Sequence, residues 1–272
     1  MEVITQETLD AMPGINEGPD LLKQALITVP KRHLFTMLKN LIEYDAQFVE
    51  GAFELSRRIL SERRLFRNAV RPHQAVAHEI AREVSRANDD ELGPVTHRQM
   101  ALNFARSAGE YLGTSKKELE TCDEPSHAMR FAANKVLQGY GIGPGWDERR
   151  ILKGLGFHAM AEHTGAHEFK ALDEGLMERD PDLVDHLKND DRQIGGVRAY
   201  VWVEIHMTVE PEHAKAALTA ANLAHEYYVG GHPAPEDFRA YFDRGCEDFL
   251  QVEQVTMKVL KPSKVMERRR NK

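Results

Sequence analysis

An imidazole, a carboxylate and a second imidazole stand in the run His206-Met-Thr-Val-Glu210-Pro-Glu-His213. Steps of four and then three residues place all three on one face of a helix. That mixture of donors suits iron or manganese better than calcium or magnesium. Pro211 removes one helical hydrogen bond and disfavours a helical Glu210, so the segment is expected to kink or to restart there. Partners for the array must come from other helices. Glu162 is in phase with Leu155, Phe169, Leu172 and Leu176 on the face of its helix that should be buried. An unpaired carboxylate there is costly and needs a cation or a strong donor. Glu91 extends the stripe Ile80, Val84, Ala87, whereas Asp89 and Asp90 fall off it. An acid at a helix C-terminus is unfavourable, which favours a ligand role. His97 follows the Gly93-Pro94 turn at the start of the next helix.

Other chemistry-bearing patterns carry less. The dipeptides His78-Glu79, His167-Glu168 and His225-Glu226 have no second histidine four residues on, so none is a zinc-protease helix; surface or helix-end positions are expected. Glu124-x-x-His127 has the di-iron bundle spacing but spans Pro125-Ser126, where Ser126 is better read as a helix N-cap. Gly139-Tyr-Gly-Ile-Gly-Pro-Gly145 lacks a following Lys-Ser/Thr and a preceding strand, which leaves a helix–helix connection. Two cysteines, Cys122 and Cys246, make neither a disulfide framework nor a thiolate zinc site.

The elements that must position these groups read as helix almost throughout. Apolar residues recur at three- and four-residue steps over 34–60, from Leu34 to Ile59, and again over 72–88. Further helices are expected near 97–112, 126–138, 147–177, 197–208, 211–228 and 235–260. Only Val197–Met207 has strand-like composition, and no second β run exists to pair with it. Breaks fall at Met12–Pro19, Gly93–Pro94, Gly139–Gly145, Asp180–Pro181 and Gly230–Pro233. The organisation is an all-α, single-domain chain: an N-terminal extension over 1–30, a helical domain over 31–260 and a basic tail over 261–272.

Composition agrees. The chain has 272 residues, 42% hydrophobic, with thirteen histidines and a net charge of −7. This balance argues against a nucleic-acid partner, and the terminal Arg268, Arg269, Arg270 and Lys272 read as a solvated tail. No apolar run is long enough to span a membrane and the N-terminus is unlike a signal peptide, so a cytoplasmic protein without a membrane partner is expected.

Glu91-x-Gly93…His97, then Glu162, then His206-x₃-Glu210-x₂-His213 resembles the haem-oxygenase-like di-metal oxidases, a superfamily that also resembles thiaminase II and pyrroloquinoline-quinone synthase. The likeness to its chlamydial para-aminobenzoate-forming members continues around Asp90-Glu91-Leu-Gly…His97, through Glu124-Pro-Ser and over Glu162 to Gly175-Leu176. It covers residues 70–228. Glu210 departs from the family, which often has Asp there. The interval to His97 is six residues from Glu91 and seven from Asp90, so Asp90 is an alternative ligand.

The resemblance implies a bundle of about seven core helices holding two Fe(II) ions, with Fe/Mn as a variant, on Glu91, His97, Glu162, His206, Glu210 and His213. It implies O₂ activation directed at a small substrate in specialised-metabolite biosynthesis. Family members oxygenate amines or cleave C–C bonds of amino acids and fatty acids, with an external electron donor, and a homodimer is expected. Polar groups in the expected core favour an amine or amino-acid-derived substrate. His158, one turn before Glu162, is the candidate catalytic residue, with Tyr140 and Trp202 as further pocket candidates. Two alternatives remain: a metal-independent thiaminase-like or quinone-synthase-like enzyme of the same fold, and a non-enzymatic helical binding protein.

Overall fold

The computed structural model describes residues 3–67, 73–86, 95–121, 124, 126–144, 147–190, 197–231 and 233–260. Glu91, Asp90, the Gly93-Pro94 turn, Cys122 and the basic tail lie outside the described residues. Eleven α-helices form among the described residues: α1 (Gln6–Asp10), α2 (Glu17–Thr28), α3 (Lys31–Ser61), α4 (His73–Val84), α5 (His97–Tyr111), α6 (Lys116–Leu119), α7 (His127–Gly139), α8 (Arg149–Arg179), α9 (Pro181–Asn189), α10 (Val201–Tyr227) and α11 (Phe238–Val259). Among the described residues no strand forms; one isolated bridge joins Phe66 to Tyr228. No helix among them is long and apolar enough to cross a membrane.

Local chemistry starts several of these helices. Thr96 and Gln99 make a reciprocal capping box at α5. Ser126 accepts the Met129 N–H at 3.2 Å, the N-cap role expected of it. Asp180 accepts the Leu183 N–H at 3.1 Å, with Pro181 in the first turn of α9. The glycine-rich stretch after α7 makes a turn in which Gly141 takes φ +81°, a conformation that favours glycine.

The helix α8 is the centre of the bundle. Almost every residue from Ile151 to Thr164 is buried, under α11, α10 and α2. The first thirty residues join that core: α2 buries Leu22, Ala25 and Leu26 against α8, and the Asn222 side chain pairs with both the N–H and the C=O of Ile4. The expected break at Pro211 does not end the helix, since α10 runs unbroken from Val201 to Tyr227. Pro211 is exposed, so the carbonyl it leaves without a helical donor sits on the wet side, where water can satisfy it.

Glycines let the two most closely packed helices meet. A Cβ on Gly156 of α8 would lie 1.9 Å from the Phe242 carbonyl oxygen, and one on Gly245 of α11 would lie 2.0 Å from that of Lys153. Backbone cannot yield as a flexible side chain can. Either Gly156→Ala or Gly245→Ala is therefore expected to destabilise the protein by about 2 kcal/mol or more. Thermal melting would show a fall in Tm of several degrees; an unchanged Tm would contradict the packing described.

Candidate metal centre

Buried in the bundle, α10 turns His206, Glu210 and His213 to one side, at 4%, 7% and 7% exposure. Across from them α8 contributes Glu162, and α5 contributes His97 from its first turn, both also buried. These five residues line one cavity of about 70 Å³, closed further by Asp45, Phe48 and Val49 of α3 and by Gly165, Glu168 and Phe169 of α8. Five of the six ligands expected from the sequence thus come together; the sixth, Glu91, falls among the undescribed residues.

Glu162, Glu210 and His213 each offer a donor atom, all within 4.8 Å of one another, a grouping that can hold a metal ion. His213 Nδ1 lies 3.7 Å from Glu162 Oε2 and 3.7 Å from Glu210 Oε2. Gly165 makes the room: a Cβ there would sit 2.7 Å from Glu210 Oε2. Two carboxylates facing each other in a dry interior repel. Burial first, and the charge of Glu210 next, raise the Glu162 carboxyl to about 8. A divalent cation between them removes that conflict.

His206 is prepared as a ligand by its surroundings. Its Nδ1 lies 2.6 Å from the Trp202 carbonyl oxygen, which can only accept, so Nδ1 carries the proton and Nε2 keeps its lone pair. The ring stacks on Phe169 with centroids 4.0 Å apart and lies 4.7 Å from the His97 ring. Burial, then the neighbouring His97, lowers its pKa to about 3. The neutral form is the one that binds a metal.

His158 does not reach the cavity. It is buried behind Glu162, with Nδ1 at 3.2 Å from the Tyr140 hydroxyl and 3.4 Å from Glu162 Oε1. Tyr140 is likewise behind the cavity wall, whereas Trp202 lines a small adjoining cavity. His158 thus stands behind Glu162, outside the lining of the cavity.

Three acids escaped the sequence reading. Asp45 follows Leu41 by four residues and precedes Phe48 by three, and Glu168 is in phase with Ala161, Gly165 and Leu172. Glu253 of α11 falls between Phe249 and Met257 and is fully buried. Each is an acid interrupting an apolar stripe, the same signal that singled out Glu162. Glu253 receives no hydrogen bond from any N–H or O–H of the described residues. Glu168 is its neighbour, and burial first holds both carboxyls above the ordinary carboxylate range.

No family model matches the chain, and no curated protein matches it. Among solved structures, a CADD-like protein of unknown function from Nostoc punctiforme superposes with a TM-score of 0.54 at 18% identity, over 90% of this chain and 87% of that one. The fold is haem-oxygenase-like. A TenA homologue from P. horikoshii reaches a TM-score of 0.36 at 12% identity, over 90% of this chain and 96% of that one.

The buried carboxyls make the metal-free protein sensitive to alkali. Glu162 titrates at about 8 and Glu253 at about 7 in the folded protein, and both at the usual carboxylate value when unfolded. Their folded pKa values are raised, so the stability they give is present at low pH and is lost as pH climbs through the folded values. The unfolded histidines are already neutral above about 6.5 and do not oppose this trend. With chelator present, Tm should fall between about pH 6.5 and 8, and bound divalent metal should remove much of the fall. A flat metal-free profile would contradict the burial of these acids.

Proposed function

We propose that the protein is a non-haem di-iron oxygenase or oxidase that uses O₂ to oxidise a small amine or amino-acid-derived substrate. The convergence of His97, Glu162, His206, Glu210 and His213 on one buried cavity is the observation that supports this reading. Glu162, Glu210, His206, His213 and His97, with Glu91 or Asp90, would hold the metal pair. Such a pair supplies electrons to O₂ and so allows oxygen transfer to an unactivated N–H or C–H bond. N-oxygenation of a primary amine consumes O₂, two electrons and two protons and yields a hydroxylamine and water. The electrons come from an external donor.

The protein's own share is positioning. Trp202 fixes the His206 tautomer through its backbone carbonyl, Phe169 holds the ring plane, and His158 aligns Glu162. Phe48, Val49 and Phe169 keep the site apolar where it is not ligating. A thiol-based route of the same fold has little support from Cys246. Its Sγ is buried and donates to the Gly156 carbonyl oxygen at 3.3 Å, and burial pushes the thiol up, away from the nucleophilic thiolate.

Anaerobic titration with Fe(II) should reach about two ions per chain, and exposure to O₂ should then give a transient visible absorbance. Tight uptake of a single zinc, or no stoichiometric metal, would overturn the reading. His206→Ala and Glu162→Ala should abolish full loading. His158→Gln should keep the stoichiometry but weaken affinity by about 10- to 100-fold, as removal of an orienting partner does. Unchanged affinity in His158→Gln would remove its positioning role.

A further inference from the structure

Next to the ligand cavity lies a second, smaller one, and the two share Asp45, Glu168 and Phe169 as walls. The second holds about 10 Å³, room for one group the size of a water molecule. Among the described residues neither cavity has a lysine or arginine in its lining. Glu168 nevertheless faces both, and behind it Glu253 is completely buried with no donor from the described residues on either oxygen. Such a group is unfavourable unless a cation or proton compensates it. This arrangement is built in: helix α2 presents Gly18 to the Glu253 carboxylate, where a Cβ would lie 2.0 Å from Cδ. The Tyr44 hydroxyl is also buried without a hydrogen-bond partner among the described residues, and Tyr44 and Trp202 form aromatic walls of the smaller cavity.

We infer that this smaller cavity binds the primary ammonium head of the substrate, against Glu168 and Tyr44, with the rest of the molecule in the ligand cavity. The inference rests on the amine reading above and names the groups that select it. A primary ammonium has three N–H donors and the bulk of a water molecule. Glu168 and the Tyr44 oxygen accept from it, and the Glu253 carboxyl stands behind Glu168. A hydroxyl of the same size would leave the carboxyl pair uncompensated, and a carboxylate would be repelled. A third metal ion is a poorer match, because Asp45, Glu168 and a phenol in a space for one small group are too few donors to displace its water. The ammonium sits one wall from the metal ligands; the adjacent carbon is open to oxidation as the group is bound, and the nitrogen once it has given a proton to Glu168 and regained its lone pair.

The test uses the full-length protein, loaded anaerobically with Fe(II), and three probes of one size: propylammonium, 1-propanol and propionate. Calorimetry should show propylammonium binding about tenfold or more tightly than either of the others. Glu168→Gln and Glu253→Gln preserve side-chain volume and should each weaken propylammonium about tenfold while leaving Fe(II) stoichiometry intact. Equal binding of propanol, or undiminished propylammonium affinity in Glu168→Gln, would overturn the inference. Loss of iron from Glu168→Gln would overturn it too, by making Glu168 a metal ligand. Should Glu253→Gln fail to fold, Glu168→Gln alone decides. The same titrations on metal-free protein separate the two proposals: Glu168-dependent ammonium binding in a chain that takes up no iron upholds this site and refutes the metal reading.

Discussion

Carboxylates drawn out of water into the interior are the constraint around which this molecule is arranged. Glu162 and Glu210 face each other beside His213 in the interior, and Glu168 and Glu253 form a second pair nearby. Burying an uncompensated charge is among the largest penalties a fold can carry. Among the described residues no lysine or arginine lines either cavity. It leaves instead a cavity bordered by three imidazoles and several carboxylates, and beside it a smaller, mostly apolar one that Tyr44, Asp45 and Glu168 border.

The packing of α8 follows from that need. A helix buried on nearly all sides must meet several neighbours, and its glycines set how closely each approaches. Gly156 lets α11 come against it backbone to backbone, while Gly165 leaves space for the Glu210 carboxylate of α10. On α10 the alanines Ala217, Ala220, Ala221 and Ala224 are buried, so that helix can lie close enough for its imidazoles to meet Glu162. Small residues thus serve the site by controlling distance, and the ring stack of Phe169 on His206 fixes orientation. Stability and site geometry come from the same contacts.

Much of this was legible from residue spacing. The long helices, the cap at Ser126, and the common face of His206, Glu210 and His213 all follow from the local sequence and the helical pitch. Glu162 was found because it interrupted an apolar stripe. Asp45, Glu168 and Glu253 interrupt stripes in the same way but were passed over, Glu168 because it belongs to a His-Glu dipeptide that reads as surface. The position of His158 behind Glu162 was not legible, because which side of a buried helix faces a cavity depends on the neighbouring helices. Nor was the course of α10 through Pro211, since the penalty of a helical proline depends on whether the abandoned carbonyl meets water.

The sequence by itself determined the helices, their starts, and the chemical character of the groups on each face, because these depend on contacts within about one turn. Tertiary structure alone decided that His97 from α5, Glu162 from α8 and the three residues of α10 open onto the same space. It also decided that Glu253, far along the chain, stands behind Glu168, and that Gly18 in the first thirty residues makes room for it. Those pairings depend on how helix axes cross and how closely they approach. Side-chain volume at the crossing points sets both quantities, and no single segment contains that information.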